Sequence, residues 1–181
     1  MYKRQDLEIT FTLTDKAKEV FLRAGAEIVP ITLEPLPKNF WSSALFILEH
    51  EFFIGLNDYL RKSKSSMKNM QSIVDFNNAN KKETMSFYGQ EYFLSSIAAG
   101  PGKKMGDKNT DQIYQDALEI VEFSRSYLDK ILIENKLDAI VGLTRNTAWR
   151  IDYQNGDNFE NGWGNGALSA ISGYPLSLIH I

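Results

Sequence analysis

Residues 109–136, NTDQIYQDALEIVEFSRSYLDKILIENK, constrain the fold more than any other stretch of the chain. Ile113, Ala117, Ile120, Val121, Ser124, Leu128 and Ile131 or Leu132 recur at helical spacing and predict one long helix with a single buried face. Asn109 or Thr110 can cap it, and Asp111 places an acid in the first turn, where the helix dipole favours negative charge. LDAIVGL follows at once, a short apolar run of the kind that parallel sheets bury on both faces. Helix leading directly into buried strand is half of an α/β unit.

The same order occurs near the start. In TDKAKEVFLRAGAEIVPITLE, Thr14 or Asp15 can cap a helix whose apolar stripe is Ala17, Val20, Phe21 and Ala24. Gly25 stops that helix, and AEIVPITL is a β-branched run suited to a strand, with Pro30 pointing to an edge or a bulge. Between these two units, PKNFWSSALFILEHEFFIGLNDYLRKS reads as a long aromatic-rich helix that packs on more than one side. NMQSIVDFNNANKKE and SFYGQEYFLSSIAAG read as shorter helices, the second closed by the Gly-Pro-Gly breaker. Residues 144–166 are rich in Asn, Asp, Gly and Trp without a period, which marks a long loop, and NGALSAISGYP is a small-residue helix ended by Gly173. The expected fold class is α/β, a partial mixed β-sheet flanked by helices.

Composition narrows the function. The chain has 181 residues, 43% hydrophobic and 24% charged, which makes it globular rather than disordered. Its net charge of −3 argues against a nucleic-acid partner or an anionic membrane surface. Without cysteine there are no disulfides, thiolate nucleophiles or Cys-ligated metals. No apolar run approaches the roughly 20 residues of a membrane span, and MYKRQDLEITF lacks the apolar core of a secretion signal, so a cytoplasmic location is the default expectation.

Common catalytic patterns fail on spacing. GWGNGA does not space its glycines as a dinucleotide-binding loop does, and GPGKKMG has Ile97 where a phosphate loop needs its first glycine. DYQNGDNFEN is oxygen-rich, but Asp152, Gln154, Gly156 and Asp157 do not follow the EF-hand pattern. No metal and no cofactor are expected. His50, between Glu49 and Glu51, reads as a helix-surface or packing histidine, and ALSAISG around Ser169 and Ser172 is not a nucleophile elbow. Glu49, Glu51, Glu119 and Glu122 have spacings that suit solvated helix faces.

LDAIVGLTRNTAWRIDYQNGDNFENGWGNGALSAISGYP resembles the C-terminal part of amidase-signature enzymes, which carry an "LDAIVAPT" run, an Asp/Asn/Gly-rich stretch and an "AAVAGYP" ending. AGAEIVPITL, EHEFFIGLNDYL, MQSIVDFNNAN and FYGQEYF look like that family's preceding segments in the same order, and the chain looks closest to the peptide-amidase-like branch. Gly142-Leu143 stands where the family has Ala-Pro, and NGWGNG replaces a Gly-Gly-Ser-Ser-like run. The resemblance implies a Ser–cis-Ser–Lys hydrolase of carboxamides, in which a lysine deprotonates the nucleophilic serine through a bridging serine and backbone N–H groups hold the oxyanion. Neither the family's lysine segment nor its "GGSSGG"-type run is matched here, so no catalytic residue carries over. Thr144, Trp149, Asp157 and Trp163 are the candidates for substrate-pocket walls, with loop anchoring as the alternative role of the two tryptophans. The implied partner is a small-molecule or peptide amide substrate. A rival from another class is a small non-enzymatic binding module that uses the Asn/Gly/Trp-rich loop.

The two ends read as foreign to the family. LSLIHI is what the DNA-library adapter CTG TCT CTT ATA CAC ATC encodes, and MYKRQ is its opposite strand, GTG TAT AAG AGA CAG, read with GTG as a start. The expected amidase-derived portion is 6–175, with 1–5 and 176–181 as translated adapter.

Overall fold

A computed structural model describes residues 2–142, 151–156 and 166–176. In chain order the elements are α1 (Tyr2–Arg23), α2 (Phe40–Lys62), α3 (Met70–Ala79), α4 (Lys81–Thr84), α5 (Glu91–Ala99), β1 (Lys104–Met105), β2 (Lys108–Asn109), α6 (Thr110–Glu134) and α7 (Gly166–Ser172). The described chain is therefore mostly helical. It divides into two compact units, one of residues 36–120 and one made by 1–35 with 121–181.

In the 36–120 unit, α2 packs chiefly against α5, and α3 packs against both. Phe40, Met70, Val74 and Ala99 are buried there, with Ala117 and Ile120 from the first half of α6. The chain reaches this packing through local stops. Asn69 caps α3 in a reciprocal box with Ser72, its Oδ1 accepting the Ser72 N–H at 2.8 Å. Asn57 Oδ1 accepts the Met70 N–H at 2.7 Å, so the start of α3 is tied to α2. Asn109 and Gln112 form a second such box, with the Gln112 N–H 2.8 Å from Asn109 Oδ1. The capping oxygen of α6 is thus Asn109, and Thr110 is free for another bond.

In the other unit, α1 ends in paired bonds from Gly25 N–H to the Leu22 carbonyl and from Ala26 N–H to the Phe21 carbonyl, each 3.0 Å. These define a Schellman stop, which needs the left-handed backbone that Gly25 adopts at φ 87°. Tyr127, Leu128 and Ile131 of α6 and Leu168 of α7 are buried. Tyr127 stacks on Phe123 at 5.4 Å, and its hydroxyl accepts the Glu34 N–H. Arg125 Nε donates to the Ser172 carbonyl at 2.9 Å, holding the end of α7.

Several expectations are corrected. α1 begins at Tyr2, so Thr14 and Asp15 lie inside the helix rather than at its start; no Gly or Pro interrupts the chain before Gly25. Val20, expected on a buried stripe, is 40% exposed. Neither AEIVPITL nor the described part of LDAIVGL is a strand, and the expected mixed sheet is absent among the described residues. A lone extended segment leaves its N–H and C=O groups unpaired, and a strand exists only beside a neighbour that takes them. The β-ladder that is described lies in the stretch after the Gly-Pro-Gly breaker, whose spacing fails the phosphate-loop pattern: Lys104 pairs antiparallel with Asn109 and Met105 with Lys108. Gly106, at φ 61°, allows the two-residue turn between them.

Candidate functional site

Thr144, Trp149, Asp157 and Trp163 all lie outside the described residues. The described piece of the loop between them, 151–156, is organised by Asp152. Its Oδ1 accepts the Gln154 and Asn155 N–H groups, each at 2.9 Å, and its Oδ2 accepts the Asn155 side-chain amide at 2.9 Å. These bonds, the Asn155 side chain first, hold the Asp152 carboxyl below its usual value. Both oxygens thus serve the turn of their own loop, which is a structural use of the acid. Among the described residues, no group of three His, Cys, Asp or Glu side chains converges on a common point.

His50 is buried, and it packs between rings. It stacks on Tyr114 at 4.3 Å and on Phe46 at 6.1 Å, and its Nδ1 lies 2.7 Å from the Ala99 carbonyl. A carbonyl only accepts, so Nδ1 carries the proton. Its neighbours are held as firmly. Ser95 Oγ donates to Glu49, and the Tyr114 hydroxyl donates to Glu51 Oε1 at 2.7 Å. Glu49 and Glu51 are therefore cross-links from α2 to α5 and α6, not merely solvated acids. Ser172 Oγ donates to the Ser169 carbonyl and accepts the Tyr174 N–H, both at 3.2 Å, which makes it part of a helix end.

The Tyr114–Glu51 bond gives a pH-dependent expectation. The bond, with burial and the Glu51 charge behind it, raises the Tyr114 hydroxyl above its ordinary value. A group raised on folding contributes fully below the unfolded tyrosine value, about 10, and loses that contribution as pH rises through the folded one. Tyr114→Phe should cost about 1 kcal/mol at neutral pH. The gap from wild type should hold through neutrality and close only in alkali, as measured by urea unfolding across pH. A gap that closed already at neutral pH would overturn the assignment to the Tyr114 hydroxyl.

The geometry has close counterparts in solved proteins. The chain matches PAM12A with a TM-score of 0.77 and 26% identity, over 90% of this chain and 31% of that one. It matches the peptide amidase PAM, solved with the competitive inhibitor chymostatin, with a TM-score of 0.75 and 26% identity over the same shares. It also matches the native peptide amidase of Stenotrophomonas maltophilia, with a TM-score of 0.73 and 24% identity. A probable amidase of Arabidopsis thaliana is 34% identical over 95 residues, covering 51% of this chain and 17% of that protein. No family model matches the chain. The described fold is that of a peptide-amidase segment. The chain is similar to amidases, peptide amidases among them, and it spans less than a third of the length of the solved proteins it matches.

Proposed function

We propose that this chain is the C-terminal portion of an amide hydrolase that works through a Ser–cis-Ser–Lys relay, with base and nucleophile supplied by sequence outside it. The observation that carries this reading is the match to peptide amidases over 90% of the chain at 26% identity. The exposed face of α2 supports it. Trp41, Leu45, Leu48, Phe52 and Tyr59 follow a helical stripe and are 44–68% exposed. An apolar stripe of that kind calls for a covering surface. AEIVPITL and LDAIVGL would likewise become strands of an α/β sheet beside neighbours from the rest of the domain. Thr144, Trp149, Asp157 and Trp163 would form walls of the pocket that positions a small or peptide carboxamide for acyl transfer. The amidase-derived part would be 6–175. Native codons for MYKRQ and LSLIHI, read from source DNA across both ends, would overturn that boundary. Among the described residues, no helix is long and apolar enough to cross a membrane.

The test measures ammonia release from a panel of peptide amides by the chain alone and by the chain co-expressed with the remaining portion of a peptide amidase. The expected result is no turnover alone and restored turnover in the pair, with Trp163→Ala raising KM. Turnover by the chain alone that survives Ser169→Ala and Ser172→Ala would sink this account of where the catalyst lies.

A further inference from the structure

Arg61, Lys62, Lys64 and Lys68 run through the end of α2 and the loop to α3, and no acidic residue falls between positions 61 and 74 of a chain whose net charge is −3. Arg61 and Lys68, joined by Lys103 from the segment between α5 and β1, line a cleft of about 550 Å³ with Phe53 and Ile97 as its apolar wall. No carboxylate lines it. The lysines are held by neutral groups, so their charge is not cancelled: Lys68 Nζ donates to the Ser63 carbonyl at 3.0 Å and Lys103 Nζ to the Ile97 carbonyl. Lys103 Nζ also lies 5.3 Å from the Phe53 ring centroid. Asp58 pairs with Arg61 and Lys62 together, one carboxylate against two cations.

The walls are fixed from behind. Asn57 donates to the Phe53 carbonyl at 2.6 Å and accepts the Met70 N–H, which locks α2 against α3. The Phe53 ring sits so close to Gly100 that a Cβ there would lie 2.8 Å from it, so the ring packs directly on backbone. A fixed apolar floor beside two uncancelled lysines and an arginine that shares Asp58 with Lys62 suits an anion carried on an apolar body, since such a ligand gains from both parts at once.

We propose that this cleft binds an organic carboxylate, with its charge on Lys68, Lys103 and Arg61 and its apolar part against Phe53 and Ile97. The site lies wholly within residues 36–120 and does not depend on the hydrolase reading. The probe is N-acetylphenylalanine, titrated into the 181-residue chain by calorimetry, with N-acetylphenylalaninamide and inorganic phosphate as controls. The amide keeps the apolar body without the charge, and phosphate keeps the charge without the body. The acid should bind about tenfold tighter than either, and its affinity should fall as salt rises. Because Lys103 also holds the end of α5, the decisive variant is Lys68→Gln, at an exposed side chain, which should weaken the acid about tenfold. Asp58→Asn, which removes the acid paired with Arg61, should tighten it. Equal binding of acid and amide, an unchanged affinity in Lys68→Gln, or no binding of the acid up to about 10 mM would overturn the proposal.

Discussion

Phe40→Ala is expected to lower the stability of the 36–120 unit by about 3–5 kcal/mol, read as a fall in the urea midpoint at unchanged slope. Phe40 opens α2 and has 0% exposure, which makes it one of the largest fully buried side chains described. Its N–H donates to the Pro37 carbonyl at 2.9 Å, so the residue is fixed in backbone as well as in side chain. Truncation removes a ring from a fully buried place, and any cavity left behind adds to the lost transfer energy. Trp41 is the built-in control. It meets Phe40 edge to face at 5.3 Å but is 63% exposed, so Trp41→Ala should cost about 1 kcal/mol. Equal losses at the two positions would mean that Phe40 is not the buried anchor of α2.

Thr110→Val is expected to cost about 2–4 kcal/mol although it changes neither volume nor shape. The Thr110 hydroxyl donates to the Gly100 carbonyl at 2.7 Å and accepts the Lys103 N–H at 3.1 Å. Its own N–H donates to the Lys103 carbonyl at 2.8 Å. The residue has 0% exposure, so valine would leave a donor and an acceptor in the interior without water to replace the hydroxyl. Thr110→Ser keeps both bonds and should recover most of the loss. A valine variant as stable as wild type would show that those two groups find other partners.

The same position shows what was legible beforehand. Cap chemistry offered Asn109 or Thr110 for α6, and both are used, for different ends. Asn109 bonds the first turn of the helix, which is a contact between near neighbours. The Thr110 hydroxyl closes the loop that follows α5, a contact ten residues back that no local rule specifies. On the α6 face, Ala117, Ile120, Ser124, Leu128 and Ile131 are buried as their spacing requires, whereas Ile113 and Val121 are only half-buried. Tyr127, off that list, is buried because residue 34 comes to its hydroxyl.

The candidate sites divide similarly. The basic run 61–68 is plain in the sequence, whereas Lys103 joins it only because α5 returns along α2. Glu49 and Glu51 look like solvated acids until Ser95 and Tyr114 arrive from α5 and α6. The order of the segments, from AGAEIVPITL to SGYP, carries the resemblance to amidase-signature enzymes, and the likeness to solved peptide amidases agrees with it.

Helix content, helix stops at Gly25 and Gly173, and the cap at Asn109 follow from residues within a few positions of one another, whose energies are set by the chain's own short-range geometry. Strand formation and site assembly do not, because each needs a second segment to complete its hydrogen bonds or its charge. AEIVPITL has strand composition and no ladder, while the unpromising KMGDKN closes on itself and forms one. The difference lies in whether a partner for the backbone is at hand.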